Sequence, residues 1–125
     1  MNDNLDNYTE EEVVNYFCKI LGFEHYEENP RDKETKNVMI TAKLAARDLK
    51  EGKFLAEPPV ESHEKINMGS LMRINHRTVA PMKEISYNNS NITVYKTIAY
   101  STVGDSEDQY DYMEFLDLVK KSNFS

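Results

Sequence analysis

Two β-prone stretches, residues 82–87 and 92–103, flank the run Asn88-Asn89-Ser90-Asn91. The second stretch is rich in Thr, Val, Ile and Tyr, and Asn is among the few non-glycine residues that tolerate left-handed backbone angles. The pattern predicts a hairpin over about 82–103 closed by a four-residue turn. It commits the second half of the chain to an antiparallel sheet. Residues 71–79, where apolar and polar side chains roughly alternate, predict a further strand, and Pro81 marks an edge or a bulge beside it.

Helices are expected on both sides of this sheet in sequence. Thr9-Glu10-Glu11-Glu12 is a capping box, followed by Val13, Phe17, Ile20 and Leu21 at helical spacing and by Gly22 as a left-handed stop. A first helix is predicted at about 10–21. Asn29-Pro30 can start a second helix running over about 30–51 to Gly52, with Val38, Ala42, Ala45 and Leu49 on one face. Within it Val38-Met39-Ile40-Thr41 is β-prone, and Ile40 and Leu44 lie off the main stripe. A short strand at 37–41 followed by a helix at 42–51 is therefore the alternative. Ser106-Glu107-Asp108-Gln109 is a second capping box, which with Tyr112, Leu116 and Val119 predicts a C-terminal helix over about 107–121. Glu57-Pro58-Pro59 reads as a stiff connector. The expected architecture is one small α+β domain over 1–125: N-terminal helices, an antiparallel hairpin or sheet in the second half, and a C-terminal helix.

At 125 residues the chain can bury about two thirds of the surface its unfolded form exposes, so no staple is required. Its one cysteine, Cys18, rules out an intramolecular disulfide and a multi-cysteine zinc site, and the expected compartment is the cytoplasm. The longest uncharged run, residues 85–95, is far short of a membrane span.

Charge is sorted along the chain. Residues 1–28 hold eight acids and one base, 29–53 seven bases and four acids, 54–64 three acids, 65–96 five bases and one acid, and 97–125 six acids and two bases. The total is −7. That balance argues against the whole molecule coating nucleic acid, because such affinity comes from neutralising phosphates with many bases. A local basic face is still allowed. Lys36, Lys43, Arg47 and Lys50 fall within about 60° of one another on a helix, and Arg73 and Arg77 would join them if 71–79 is one strand. This patch suits phosphate, a nucleotide-like anion or an acidic protein surface. A second candidate surface is the acidic group Asp108, Asp111, Glu114 and Asp117 with Tyr110, since carboxylates along a helix can imitate a phosphate ladder. Opposite charges on one chain also permit a homodimer.

Chemistry-bearing motifs are sparse. His25, His63 and His76 share no metal-ligand spacing, and no glycine-rich phosphate loop occurs. His76-Arg77-Thr78 has the H-x-T shape used in pairs by two-histidine phosphoesterases, but only one copy is present. No cofactor and no catalytic residue is expected. The leading expectation is a non-catalytic binding or inhibitor protein with a protein partner, of the kind found as phage or mobile-element accessories, acting on a nucleic-acid-handling or defence complex. The alternatives are a binder of an anionic nucleotide or second messenger, and a small phosphodiesterase-like enzyme using His76.

Overall fold

The computed structural model describes residues 3–55, 72–74, 77–100 and 114–120. The first helix, α1, spans Glu10–Ile20. Its capping box forms as the sequence predicts: the Glu12 amide donates to Thr9 Oγ1 over 3.1 Å, and the Thr9 amide donates to Glu12 Oε1 over 3.0 Å. Gly22 follows with φ +95°, a conformation that lets the last turn close. The backbone bond from Thr9 is the main reason the Glu12 carboxyl titrates below its usual range.

Helix α2 spans Lys33–Glu51 and passes through 37–41 without interruption, so the strand alternative at 37–41 is set aside. Val38, Met39, Thr41, Ala42, Ala45, Ala46 and Leu49 are all buried, a helical repeat that two-residue alternation could not satisfy. The helix begins three residues later than Pro30. Asp32 is the cap, accepting the Thr35 amide at 2.8 Å and the Thr35 hydroxyl as well. Gly52, φ +71°, ends it, and Lys53 donates back to the Asp48 carbonyl over 2.8 Å.

Among the described residues five strands build one mixed sheet: β1 (Asp3–Asn4), β2 (Met72–Ile74), β3 (Arg77–Tyr87), β4 (Ser90–Tyr100) and β5 (Leu116–Lys120). Their order is β1-β3-β4-β5, with β2 also pairing β3; β1 runs parallel to β3, and the named pairs β2–β3, β3–β4 and β4–β5 are antiparallel. The hairpin is present, with a turn of two residues. Within the turn Asn88 and Asn89 take positive φ, 52° and 63°, and Ser90 already pairs with Tyr87. Two left-handed residues in succession match the right-handed twist of the strands on either side. Near Pro81 the register shifts, as a residue without an N–H requires. The expected strand 71–79 is divided into β2 and the start of β3, which pair antiparallel with Ile74 opposite Arg77; residues 71, 75 and 76 lie outside the described residues.

The predicted C-terminal helix is corrected. Residues 116–120 form strand β5 against β4, while 107–113 and 121 lie outside the described residues. The misleading stripe has a physical cause. Leu118 is buried with α1, α2, Ile85, Ile92 and Val94 on one side of the sheet, and its neighbour Val119 is buried with Ile74, Val79 and Tyr95 on the other. A strand covered on both faces loses its two-residue alternation. The result is an α+β protein with two helices and a mixed sheet among the described residues.

Candidate functional site

The outward side of α2 follows from its inward side. At about 100° per residue, the buried Val38, Ala42, Ala45 and Leu49 leave Lys36, Ile40, Lys43, Leu44 and Arg47 on the opposite face. Ile40 is 40% exposed and Leu44 37%. A surface helix ordinarily places its solvated positions in polar residues, so two aliphatic side chains one turn apart among cations form a mixed apolar and basic strip. Arg47 meets Asp48 at 4.0 Å and, after Lys53, helps hold the Glu51 carboxyl below its usual range, while Lys36 has no ion pair among the described residues.

Lys43 connects this strip to the loop after α1, its Nζ lying 5.2 Å from the centre of the Tyr26 ring. The loop is tied to both helices. The Tyr26 amide donates to Asn15 Oδ1 of α1 over 2.8 Å, and the Glu27 amide points at Met39 Sδ of α2 over 3.1 Å. Between loop and helix lies a hollow of about 210 Å³ with Tyr26, Pro30, Met39 and Ile40 as apolar lining, Lys36 and Lys43 on the helix side, and Glu27 and Glu28 on the loop side. A broader depression of about 660 Å³ lies on the α1 side of the same Tyr26–Lys43 pair, bordered by Glu10, Glu11, Val14 and His25.

Lys50 stands apart from the strip. Its Nζ donates to the Tyr8 carbonyl over 3.2 Å and sits 5.4 Å from the Tyr87 ring centre. Arg77 is farther removed, on the side of the sheet away from the helices. It donates to both carboxylate oxygens of Asp117, at 2.9 and 3.2 Å, and to Thr97 Oγ1 at 3.1 Å, with its guanidinium 4.8 Å from the Phe115 ring centre. Both partners of that pair are largely shielded, at 13% and 18% exposure. Arg73 lies in β2 opposite Thr78. The six expected anion contacts therefore divide: Lys36, Lys43 and Arg47 share one open face, Lys50 and Arg77 are engaged elsewhere, and Arg73 belongs to the sheet in β2 and not to α2.

The acidic surface divides as well. Asp117 faces Arg77, and Glu114 lies 3.5 Å from Lys96 while its carbonyl accepts the Thr41 hydroxyl. Asp108, Tyr110, Asp111, His63 and His76 lie outside the described residues.

Little in the described residues has the character of a reacting group. Cys18 is buried in the α1–α2 interface, and burial pushes its thiol up to about 11, away from thiolate reactivity. Among the described residues no three of His, Cys, Asp and Glu come together as metal ligands. Neither helix is long and apolar enough to cross a membrane. The Tyr26–Pro30 contribution to the hollow was not foreseen from sequence. Its signal was the displacement of Ile40 from the apolar stripe of α2. Comparison with protein-family models, with curated proteins and with solved structures finds no match for this chain.

Proposed function

We propose that this chain is a non-catalytic binding protein that docks an acidic partner protein on the outer face of α2. The observation that carries the reading is the placement of exposed Ile40 and Leu44 among Lys36, Lys43 and Arg47, on a helix whose inner face is fully used by the core. Apolar area gives such a contact its affinity, and the surrounding cations select the partner's charge and raise the encounter rate. A polyanionic nucleic acid is the weaker fit. It would meet the short cationic row Lys36, Lys43 and Arg47 on a molecule of net charge −7, and could make no use of the aliphatic side chains. A small chain that occupies the acidic docking segment of a larger complex would act as its inhibitor or regulator, which keeps the inhibitor reading with the basic face as its working surface.

The test is an NMR titration of the isotope-labelled protein with poly-L-glutamate and, separately, with duplex DNA. Amide shifts concentrated at 36–47 are expected with polyglutamate, shrinking as salt rises from about 50 to about 300 mM. If neither polymer moves those amides, the reading falls. If DNA moves them at lower concentration than polyglutamate, the partner is a nucleic acid instead.

A further inference from the structure

The hollow beside α2 gives the docking face a fixed point. We infer that it is an anchor pocket, receiving one large apolar side chain from an acidic segment of the partner protein. This rests on the reading of the α2 face given above.

Shape and chemistry both support an anchor. The hollow of about 210 Å³ has an apolar lining of Tyr26, Pro30, Met39 and Ile40. Met39 is 2% exposed and belongs to the core, so that part of the lining is held rigidly, whereas Ile40 stands at the lip at 40%. The loop wall is held at two successive amides, Tyr26 to Asn15 and Glu27 to Met39, and Tyr26 carries Lys43 across its ring. A cavity formed before the partner arrives lets apolar contact contribute without an ordering cost, the usual setting of an interface hot spot.

The charges around the hollow give the partner a direction. Lys36 and Lys43 stand on the helix side, with Arg47 one turn beyond Lys43, while Glu27 and Glu28 stand on the loop side. An incoming segment therefore places its carboxylates over α2 and an uncharged or basic residue over the loop. A uniformly acidic stretch such as polyglutamate keeps the attraction of the helix wall but is opposed at the loop wall, so it binds the face without filling the hollow. The occupant is a partner segment with one leucine or phenylalanine, acids on one flank and none on the other. Leu44, one turn from Ile40 and also exposed, extends the apolar contact along the helix.

The test uses two fluorescent peptides read by anisotropy against the full chain: one with three glutamates on one side of a single phenylalanine and serines on the other, and its counterpart with serine replacing the phenylalanine. Burial of the ring should make the first bind about tenfold tighter or more. Ile40→Ser, a change at an exposed position, should remove most of that difference, whereas Lys36→Glu should weaken both peptides together. Nuclear Overhauser contacts from the phenylalanine ring to the Met39 methyl and the Tyr26 ring are expected in the complex. Equal affinity of the two peptides, with shifts still centred on 36–47, would overturn the anchor pocket and leave the docking face standing. Absence of shifts at 36–47 with either peptide or with polyglutamate would overturn both. Ring contacts to residues outside the hollow would likewise overturn the anchor.

Discussion

On α2, Lys36 and Arg47 stand in solvent beside Ile40 and Leu44; on β5, Asp117 is drawn against Arg77, which also donates to Thr97, at the edge of a buried apolar cluster, one residue from Leu118 and two from Val119. Both segments read in sequence as helices that mix charge with aliphatic residues. The difference lies in what stands opposite. The outer face of α2 has no described helix or strand across from it, and the loop 26–30 flanks it only on the side of Lys36 and Lys43, so its charges stay within reach of solvent or of a partner. β5 has β4 beside it and β3 beyond, and the pairing of Val79 with Thr97 in β3–β4 helps bring Arg77 within reach of Asp117. Charge that a sequence displays is available for binding only where the fold leaves it without an internal counterpart.

The largest test of that contrast is to remove one member of the shielded pair. Arg77→Met leaves the Asp117 carboxylate beside Tyr95 and Val119 without its two donors, and should lower stability to urea by about 3 kcal/mol. The double variant Arg77→Met/Asp117→Leu should recover most of the loss, because an apolar pair of similar volume needs no solvation. A single variant within about 0.5 kcal/mol of the parent would place this pair among ordinary surface ion pairs, and the distinction between the two segments would collapse.

Much of the fold was legible because its signals are local. The Thr9–Glu12 box, the 38-42-45-49 stripe of α2 and Gly52 rest on local signals and form as read, and the asparagine turn forms at the expected place but with two residues instead of four. The start of α2 shifted because two caps compete within four residues. Asp32 can bind both the amide and the hydroxyl of Thr35, and Pro30 is taken up by the hollow beside Tyr26. What stayed hidden depends on partners distant in sequence. Sequence alone places Arg77 in the basic patch because nothing near it announces Asp117, forty residues on. β5 was read as a helix because its apolar residues serve two clusters on opposite sides of the sheet. Of the candidate site, Lys36, Lys43 and Arg47 could be read from periodicity alone, whereas the loop wall that makes a hollow of their surroundings is a tertiary feature.

The turn gives a middle-sized test, since it sets the register that delivers Arg77 to Asp117. Asn89→Val puts a β-branched side chain at φ 63°, which should cost about 1–2 kcal/mol, while Asn89→Gly should be neutral or slightly stabilising. If the valine variant also loses the additional stability that Arg77 confers, measured as a double-mutant cycle, then turn and ion pair are one cooperative device. Additive losses would separate them.

The smallest effects should come from the outer face of α2, and their smallness is what the binding reading requires. Lys43→Ala removes a cation from the Tyr26 ring and should cost about 0.5–1 kcal/mol. Lys36→Ala and Arg47→Ala should each stay within about 0.5 kcal/mol of the parent, since Lys36 has no ion pair among the described residues and Arg47 meets Asp48 only as an exposed pair at 4.0 Å. Set beside Arg77, the series runs from a cation the fold needs, through one that steadies a loop, to two that it does without. A loss above about 1 kcal/mol in Lys36→Ala or Arg47→Ala would mean that these cations hold the molecule together, and the mixed strip would then belong to the folded structure and not to a partner. Silent substitutions that nonetheless abolish the polyglutamate-induced shifts at 36–47 would separate binding from stability at the same residues, as a surface kept for recognition demands.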